Sequence, residues 1–213
     1  FDNNDRPGIL LSSAIEKYAN FFGVACGEKN VLFTNNDSAY EAAISLFQKG
    51  IKIEAIIDNR EEIDSKLIKE TEKNNIKVYK GYTVVNTDGY KRINKVSIMQ
   101  LSKDGQKVTG TKKIIPCDCL GVSGGWTPAV HLFTQSGGKL KFRNEDQVFI
   151  PNIYPSDQIS IGSCNGDFTL DEILPHITKT LKDFLNVTIS DYENIEVQSS
   201  FNKSKRNIWL LPS

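Results

Sequence analysis

The sequence predicts an α/β fold: a Rossmann-like parallel sheet with an inserted antiparallel β-meander, of the FAD/NAD(P)-binding type, followed by part of a flanking dinucleotide-binding domain. Three observations lead there. Val31-Leu32-Phe33-Thr34-Asn35-Asn36-Asp37-Ser38-Ala39-Tyr40 reads as strand, tight turn and helix start, the place where a dinucleotide-binding unit carries G-x-G-x-x-G/A. A second apolar strand, Ile53 to Ile57, follows and ends in Asp58. The residue period then changes from helical to alternating between Ile76 and Ile115, and an apolar strand returns at Leu120 to Val122.

The nucleotide fingerprint is damaged. Thr34 and Asn36 stand at the first two glycine positions, and only Ala39 meets the third. The first glycine permits the tight turn and the second lets the backbone approach a pyrophosphate, so an Asn side chain there is expected to obstruct the phosphate. Asp58 lies about where an acid contacts an NAD ribose hydroxyl, with Arg60 two residues on. Two readings stand open for it, an adenosine-ribose clamp or a strand-end acid paired with solvent or with Arg60.

Composition narrows the function classes. A chain of 213 residues buries a sizeable core, and its equal numbers of Lys+Arg and Asp+Glu, 26 each, give no global field for nucleic acid or an anionic membrane. With Phe1 at its start, no signal-peptide pattern and no apolar run of bilayer length, the chain reads as an internal, cytoplasmic piece of a longer protein. Cys26, Cys117, Cys119 and Cys164 do not make a disulfide scaffold, and the C-x-C pair has neither redox nor zinc spacing. With only His131 and His176 beside them, no metal site is expected. Alternation puts Cys117 and Cys119 on one strand face as small buried hydrophobes.

In chain order, Pro7-Gly8 breaks the chain before a helix with Ala14, Ile15, Tyr18, Ala19 and Phe22 on one face, ending at Gly23. Residues 1–25 read as a lead-in helix of the flanking domain, and 26–124 as the degenerate Rossmann-like domain. Asp37 or Ser38 is expected to cap the helix that runs to Gly50, and Glu61 to Asn75 reads as a surface helix. Ile76 to Val85, Arg92 to Leu101 and Lys107 to Ile115 read as three strands joined at Asp88-Gly89 and Asp104-Gly105. Residues 125–188 read as a crossover and the C-terminal part of the flanking domain, and 189–213 as a linker or tail. In the crossover, Gly124-Gly125 beside Trp126 and Pro128 suggests unusual backbone with a large side chain packed on it, function or packing each explaining Trp126, and His131 is expected to be a hydrogen-bonded packing residue. Ile159-Ser160-Ile161 reads as a strand feeding the turn Gly162 to Gly166, ahead of a helix Leu170 to Leu185 kinked at Pro175. That turn reads equally as an ordinary connection or as a seat for a phosphate or ribityl-type chain on free helix-start amides.

This order of elements resembles the pyridine-nucleotide disulfide oxidoreductase-like architecture, in which one nucleotide domain is inserted into another. Asn4-Asp5-Arg6-Pro7-Gly8, Phe33 to Tyr40, Val122-Ser123-Gly124-Gly125-Trp126-Thr127-Pro128 and Gln135-Ser136-Gly137-Gly138-Lys139-Leu140 are similar to the alpha subunits of heterotetrameric sarcosine oxidases, over about the first 180 residues. The resemblance implies an oxidoreductase acting on a CH-NH donor, which oxidises sarcosine to glycine with oxygen, releases hydrogen peroxide and passes a one-carbon unit to tetrahydrofolate. It implies NAD in the whole subunit, FAD and FMN in the whole complex, beta, gamma and delta partner subunits, and a folate-binding domain elsewhere. It carries no catalytic residue onto this segment. It does place Gly162, Ser163, Asn165, Gly166, Phe168 and Leu170 at the turn that closes over NAD, with Ser163 where disulfide oxidoreductases have an Asp. Three functions follow for the segment: a scaffold contributing to NAD binding, an active NAD(P)H-dependent flavin oxidoreductase domain using Asp58 (or a related amine or opine oxidase subunit), or an interaction module docking through the crossover at Trp126.

Overall fold

The computed structural model describes residues 1–63, 66–155 and 157–185. They fall into two compact units, Phe1–Gly125 and the residues from Trp126 on. The expected tail, 189–213, lies outside the described residues.

The first unit contains β1 (Ile9–Leu11), α1 (Ser12–Phe22), β2 (Asn30–Thr34), α2 (Ser38–Gln48), β3 (Ile53–Asp58), α3 (Lys66–Lys73), β4 (Lys77–Lys80), β5 (Tyr82–Gly89), β6 (Ile93–Leu101), β7 (Val108–Pro116) and β8 (Cys119–Ser123). Five strands form a parallel sheet in the order β1-β8-β2-β3-β4. The other three, β5-β6-β7, form the antiparallel meander. Every residue of β2 is buried, as a parallel strand covered on both faces requires. Leu32 and Ile56 pack with Ile15, Tyr40 and Leu46 on the helical side, while Val31, Phe33, Ala55 and Ile57 pack with Val84, Val96 and Ile98 of the meander on the other. Neighbouring residues of one strand thus feed two separate cores.

Several boundaries differ from the expectation, each for a local reason. Residues 1–25 do not stand apart from 26–124: β1 pairs with β8, and Ile15 and Ala19 of α1 join the helical-side core. The apolar run Ile76 to Val85 is two strands in two sheets, divided at Gly81, whose φ of 72° only glycine adopts without strain. Gly81 donates its N–H to the Arg60 carbonyl at 2.8 Å and accepts from Leu101 N at 2.8 Å, so it ties both sheets to one loop. Asp88 and Gly89 remain in the ladder opposite Lys95 and Ile93, and the hairpin reverses over residues 90–92. Cys117 and Cys119 are both buried but on opposite sides, Cys117 with the meander core and Cys119 with the helical core, because the chain changes sheets at Asp118. Asp118 fixes that step by accepting from Glu28 N (3.1 Å) and Lys29 N (2.8 Å).

The second unit holds α4 (His131–Gln135), a hairpin β9 (Lys139–Arg143) and β10 (Val148–Ile153), a 3-10 turn (Gly162–Asn165) and α5 (Leu170–Leu185). The hairpin was not expected, and Ile159 to Ile161 belong to no strand ladder. The Phe133 ring explains the paired glycines: a Cβ on Gly138 would sit 2.4 Å from Phe133 Cζ, and Gly137 turns the chain at φ 90°. Trp126 is half exposed, and His131 is exposed and so is not the packing residue expected of it. Gly125, beside Trp126, does take a positive φ, 123°. No helix among the described residues is long and apolar enough to cross a membrane.

Gly121, in the middle of β8, lets α1 pack closely on the sheet. A Cβ there would meet Leu32 Cδ2 at 2.4 Å and Ile15 Cδ1 at 2.9 Å, both fully buried. Gly121→Val should therefore cost about 1–3 kcal/mol by overpacking. A fall in the urea midpoint without change of slope would register it, and an unchanged midpoint would show that α1 yields.

Candidate functional site

The parallel register sets the site. Thr34 lies opposite Asp58 on one side and Ser123 on the other, so the carboxyl ends of β2, β3 and β8 finish in one row. β2 runs beside both β3 and the much later β8, which makes this edge a topological switch point, where ligands of open α/β sheets bind.

The protein's own side chains fill that edge. Thr34, Asn35, Asn36 and Asp37 are each at most 4% exposed. Thr34 Oγ1 donates to the Asn36 carbonyl (2.9 Å) and accepts from Asn36 N (3.1 Å). The Asn36 carboxamide donates to Asn35 Oδ1 (2.7 Å) and to the Ser123 carbonyl (3.1 Å). Its Oδ1 accepts from Ser38 N at 3.0 Å and also from the Ser38 hydroxyl. Asn35 Nδ2 reaches the Gly124 carbonyl at 2.8 Å. None of these turn residues has a positive φ, so the turn is built without the conformation that the fingerprint glycines supply.

The capping expectation is corrected by the same contacts. Asp37 occupies the N-cap position of α2 but makes no side-chain cap bond. Its carboxylate instead lies 2.8 Å from Arg60 Nη1, and Asn36 Oδ1 satisfies the first helical amide.

Asp58 is fully buried and its carboxylate is engaged on both oxygens. Oδ1 accepts from Arg60 N (2.9 Å) and Arg60 Nε (3.1 Å), while Oδ2 accepts from Arg60 Nη2 (2.8 Å) and from the Tyr40 hydroxyl (2.9 Å). The guanidinium, 3% exposed, bridges two carboxylates. Burial pushes the Asp58 carboxyl above its ordinary value, against the hydrogen bonds and charge of Arg60 that hold it down. Burial works against the Arg60 cation, yet Asp58 and then Asp37 carry its pKa above the ordinary value. The Tyr40 hydroxyl is raised by burial first and by Asp58 next.

The other six candidates, Gly162, Ser163, Asn165, Gly166, Phe168 and Leu170, come together in the second unit around the 3-10 turn, whereas Asp58 belongs to the first unit. Gly162 and Gly166 take φ of 73° and 87°, Ser163 and Leu170 are exposed, and Gly166 N and Asp167 N close the turn onto Ser163 and Gly162 carbonyls. The amides just ahead of α5 are not free for phosphate. Glu172 Oε2 accepts from Phe168 N (3.1 Å), Thr169 N (3.2 Å) and Thr169 Oγ1 (2.9 Å), which is the carboxylate half of a capping box, the Glu172 N–H going to the Thr169 carbonyl instead of its hydroxyl. Asp167 nearby meets His176 Nδ1 at 2.5 Å.

Sequence reasoning missed the Asp37–Arg60 pair, the Tyr40–Asp58 bond, the Asn36–Ser123 contacts and this capping box. Only the last had a local signal, Thr169-x-x-Glu172. The others join residues brought together by the sheet.

Two outcomes follow. Arg60→Met leaves two buried carboxylates without a cation and should destabilise the fold by about 3–5 kcal/mol. The variant's Asp58 pKa is raised further, so protonation favours its folded state: the deficit should shrink as pH falls from 7 toward 5, and a deficit independent of pH would contradict the buried-charge account. Thr169→Ala should lower the stability of the second unit by about 1 kcal/mol, read as earlier hydrogen exchange in α5.

No family model matches this sequence. The chain is 31% identical, over 217 residues, to the sarcosine oxidase alpha subunit of Corynebacterium sp. strain U-96, all of the chain aligning with 22% of that protein. It is 30% identical, over 156 residues, to the alpha subunit from Rhizobium meliloti strain 1021, 70% of the chain aligning with 14% of that protein. The chain thus spans about a fifth of the length of the curated relatives it matches. Among solved structures, the HOCl-induced flavoprotein disulfide reductase of Escherichia coli superposes with a TM-score of 0.59 at 14% identity, over 86% of this chain and 40% of that one. The T. acidophilum thioredoxin reductase superposes with a TM-score of 0.56 at 19% identity, over 84% of this chain and 56% of that one. The chain thus aligns along its whole length with one segment of sarcosine oxidase alpha subunits, and has the fold of FAD/NAD(P)-binding oxidoreductases.

Proposed function

We propose that this chain is a scaffold segment of an oxidoreductase alpha subunit, and that its first unit supports the enzyme without binding a nucleotide. The observation that carries this reading is the Asn36 side chain, which occupies the phosphate edge of β2 and is bonded on both its oxygen and its nitrogen. A dinucleotide does not fit there, because Asn36 Oδ1 already takes the first amide of α2 and Asp58 has already spent its oxygens on Arg60 and Tyr40. No step of catalysis is routed through this edge.

The whole enzyme would be a cytoplasmic complex of alpha, beta, gamma and delta subunits. It would convert sarcosine, oxygen and tetrahydrofolate into glycine, hydrogen peroxide and a one-carbon folate, with FAD and FMN carrying electrons. The names of the curated relatives support the sarcosine oxidase and multi-subunit parts of this assignment. Within it, the turn Gly162 to Gly166 with Phe168 and Leu170 would form one wall of the NAD site. Its chemistry suits a ribose hydroxyl better than a phosphate, since Asp167, Asp171 and Glu172 surround the start of α5 and would repel an anion.

Only binding to the native state raises its stability, by RT ln(1 + [L]/Kd). The 213-residue chain should accordingly melt at the same temperature with and without millimolar NADH or NADPH. A saturable upward shift in the melting of the first unit would overturn the scaffold reading in favour of an active reductase domain.

A further inference from the structure

We propose that the carboxyl edge of the first unit is a dinucleotide site closed by a built-in surrogate for its ligand, and that removing the surrogate uncovers a site selective for NADH over NADPH. The inference rests on the scaffold reading above and goes further, since it assigns each blocking group the ligand part it replaces.

The correspondence is set by the register. In a dinucleotide-binding unit the pyrophosphate lies over the turn after the first strand and the adenosine ribose over the acid ending the second. Here the first position is taken by the Asn36 carboxamide, a planar polar group that accepts from Ser38 N and the Ser38 hydroxyl as a phosphate oxygen would, and donates to the Ser123 carbonyl. Ser38 Oγ and Ser123 Oγ stand 2.9 Å apart and close the remaining gap. The second position is taken by the Arg60 guanidinium, which donates to Asp58 where ribose hydroxyls would. Arg60 reaches on to Asp37, so the turn and the strand end are bound to each other through it. A ligand-free crevice would leave Asp58 and the first amide of α2 unpartnered at a buried edge; the surrogate satisfies both.

The selectivity follows from charge. With Arg60 gone and the turn cleared, the opened crevice hydrates Asp58, which then presents a carboxylate to the adenosine ribose, accepting from the free 2′-hydroxyl of NADH and repelling the 2′-phosphate of NADPH. Adenine dinucleotides of the two kinds are therefore the right probes.

The experiment uses the 213-residue chain and titration calorimetry with NADH and NADPH. Thr34→Gly with Asn36→Gly clears the turn, and adding Asp37→Asn with Arg60→Gln clears Asp58 without leaving a pair of unpartnered carboxylates. The double variant should bind NADH at least tenfold more tightly than the wild type. The quadruple variant should bind it tighter again and prefer it to NADPH by at least tenfold. Asn36→Gly alone, which removes one side chain, supplies the same readout should either larger variant fail to melt cooperatively. A cooperatively folded variant with a cleared turn that binds neither nucleotide overturns the surrogate. Wild-type chain that already binds NADH as tightly as the variants overturns instead the scaffold reading on which it rests.

Discussion

The Arg60 guanidinium, held between the buried carboxylates of Asp37 and Asp58, is the interaction on which the carboxyl edge depends. Both acids reach zero exposure against this one guanidinium, and removing an isolated charge from water costs far more than the stability of a domain this size. The geometry is the favourable one for such a pair: two guanidinium nitrogens and the Arg60 backbone amide meet one carboxylate, and the third nitrogen meets the other. The cluster carries a net charge of about −1 when both acids are ionised, and the Tyr40 hydroxyl donates into it. Buried ion pairs are weak evidence for net stability, since their desolvation offsets much of the attraction. Here the pair constrains where the α2 turn sits relative to the end of β3.

A second constraint crosses it. The parallel sheet has a core on each face, and β2 and β3 send alternate residues to each. Slipping either strand by one residue would exchange the two sets and would also part Thr34 from Asp58 and Ser123. The hydrophobic register and the polar edge therefore specify the same alignment.

The strong periodic parts of the fold were legible in the sequence. β2 and β3 are uninterrupted apolar runs followed by helix-forming residues, and α1 ends at Gly23 with the φ of 65° expected of a left-handed cap. What was not legible depended on a single backbone angle or on distant partners. Ile76 to Val85 has one continuous pattern, and only the positive φ of Gly81 divides it between sheets. Cys117 and Cys119 alternate as strand residues should, but the change of sheet at Asp118 lies between them. At the site, the sequence marked Asn36 as an obstruction and Asp58 as an acid with Arg60 near it. It had no means to show that Asp37 would forgo its cap for Arg60, since that choice is made by residues meeting across the sheet.

The position of β8 governs the order in which the edge can form. This strand lies between β1 and β2, yet Thr34 Oγ1 and the Ser123 carbonyl it contacts are separated by 89 residues in the chain. The meander is local in sequence and can pair early, whereas β8 must cross a long loop's worth of entropy to reach its slot. Until it arrives, β1 lacks its partner and the Asn36 amide lacks the Ser123 carbonyl. Residues 119–123 thus complete the sheet, and without them the β8 side of β2 is an unpaired edge of the kind that pairs with another chain.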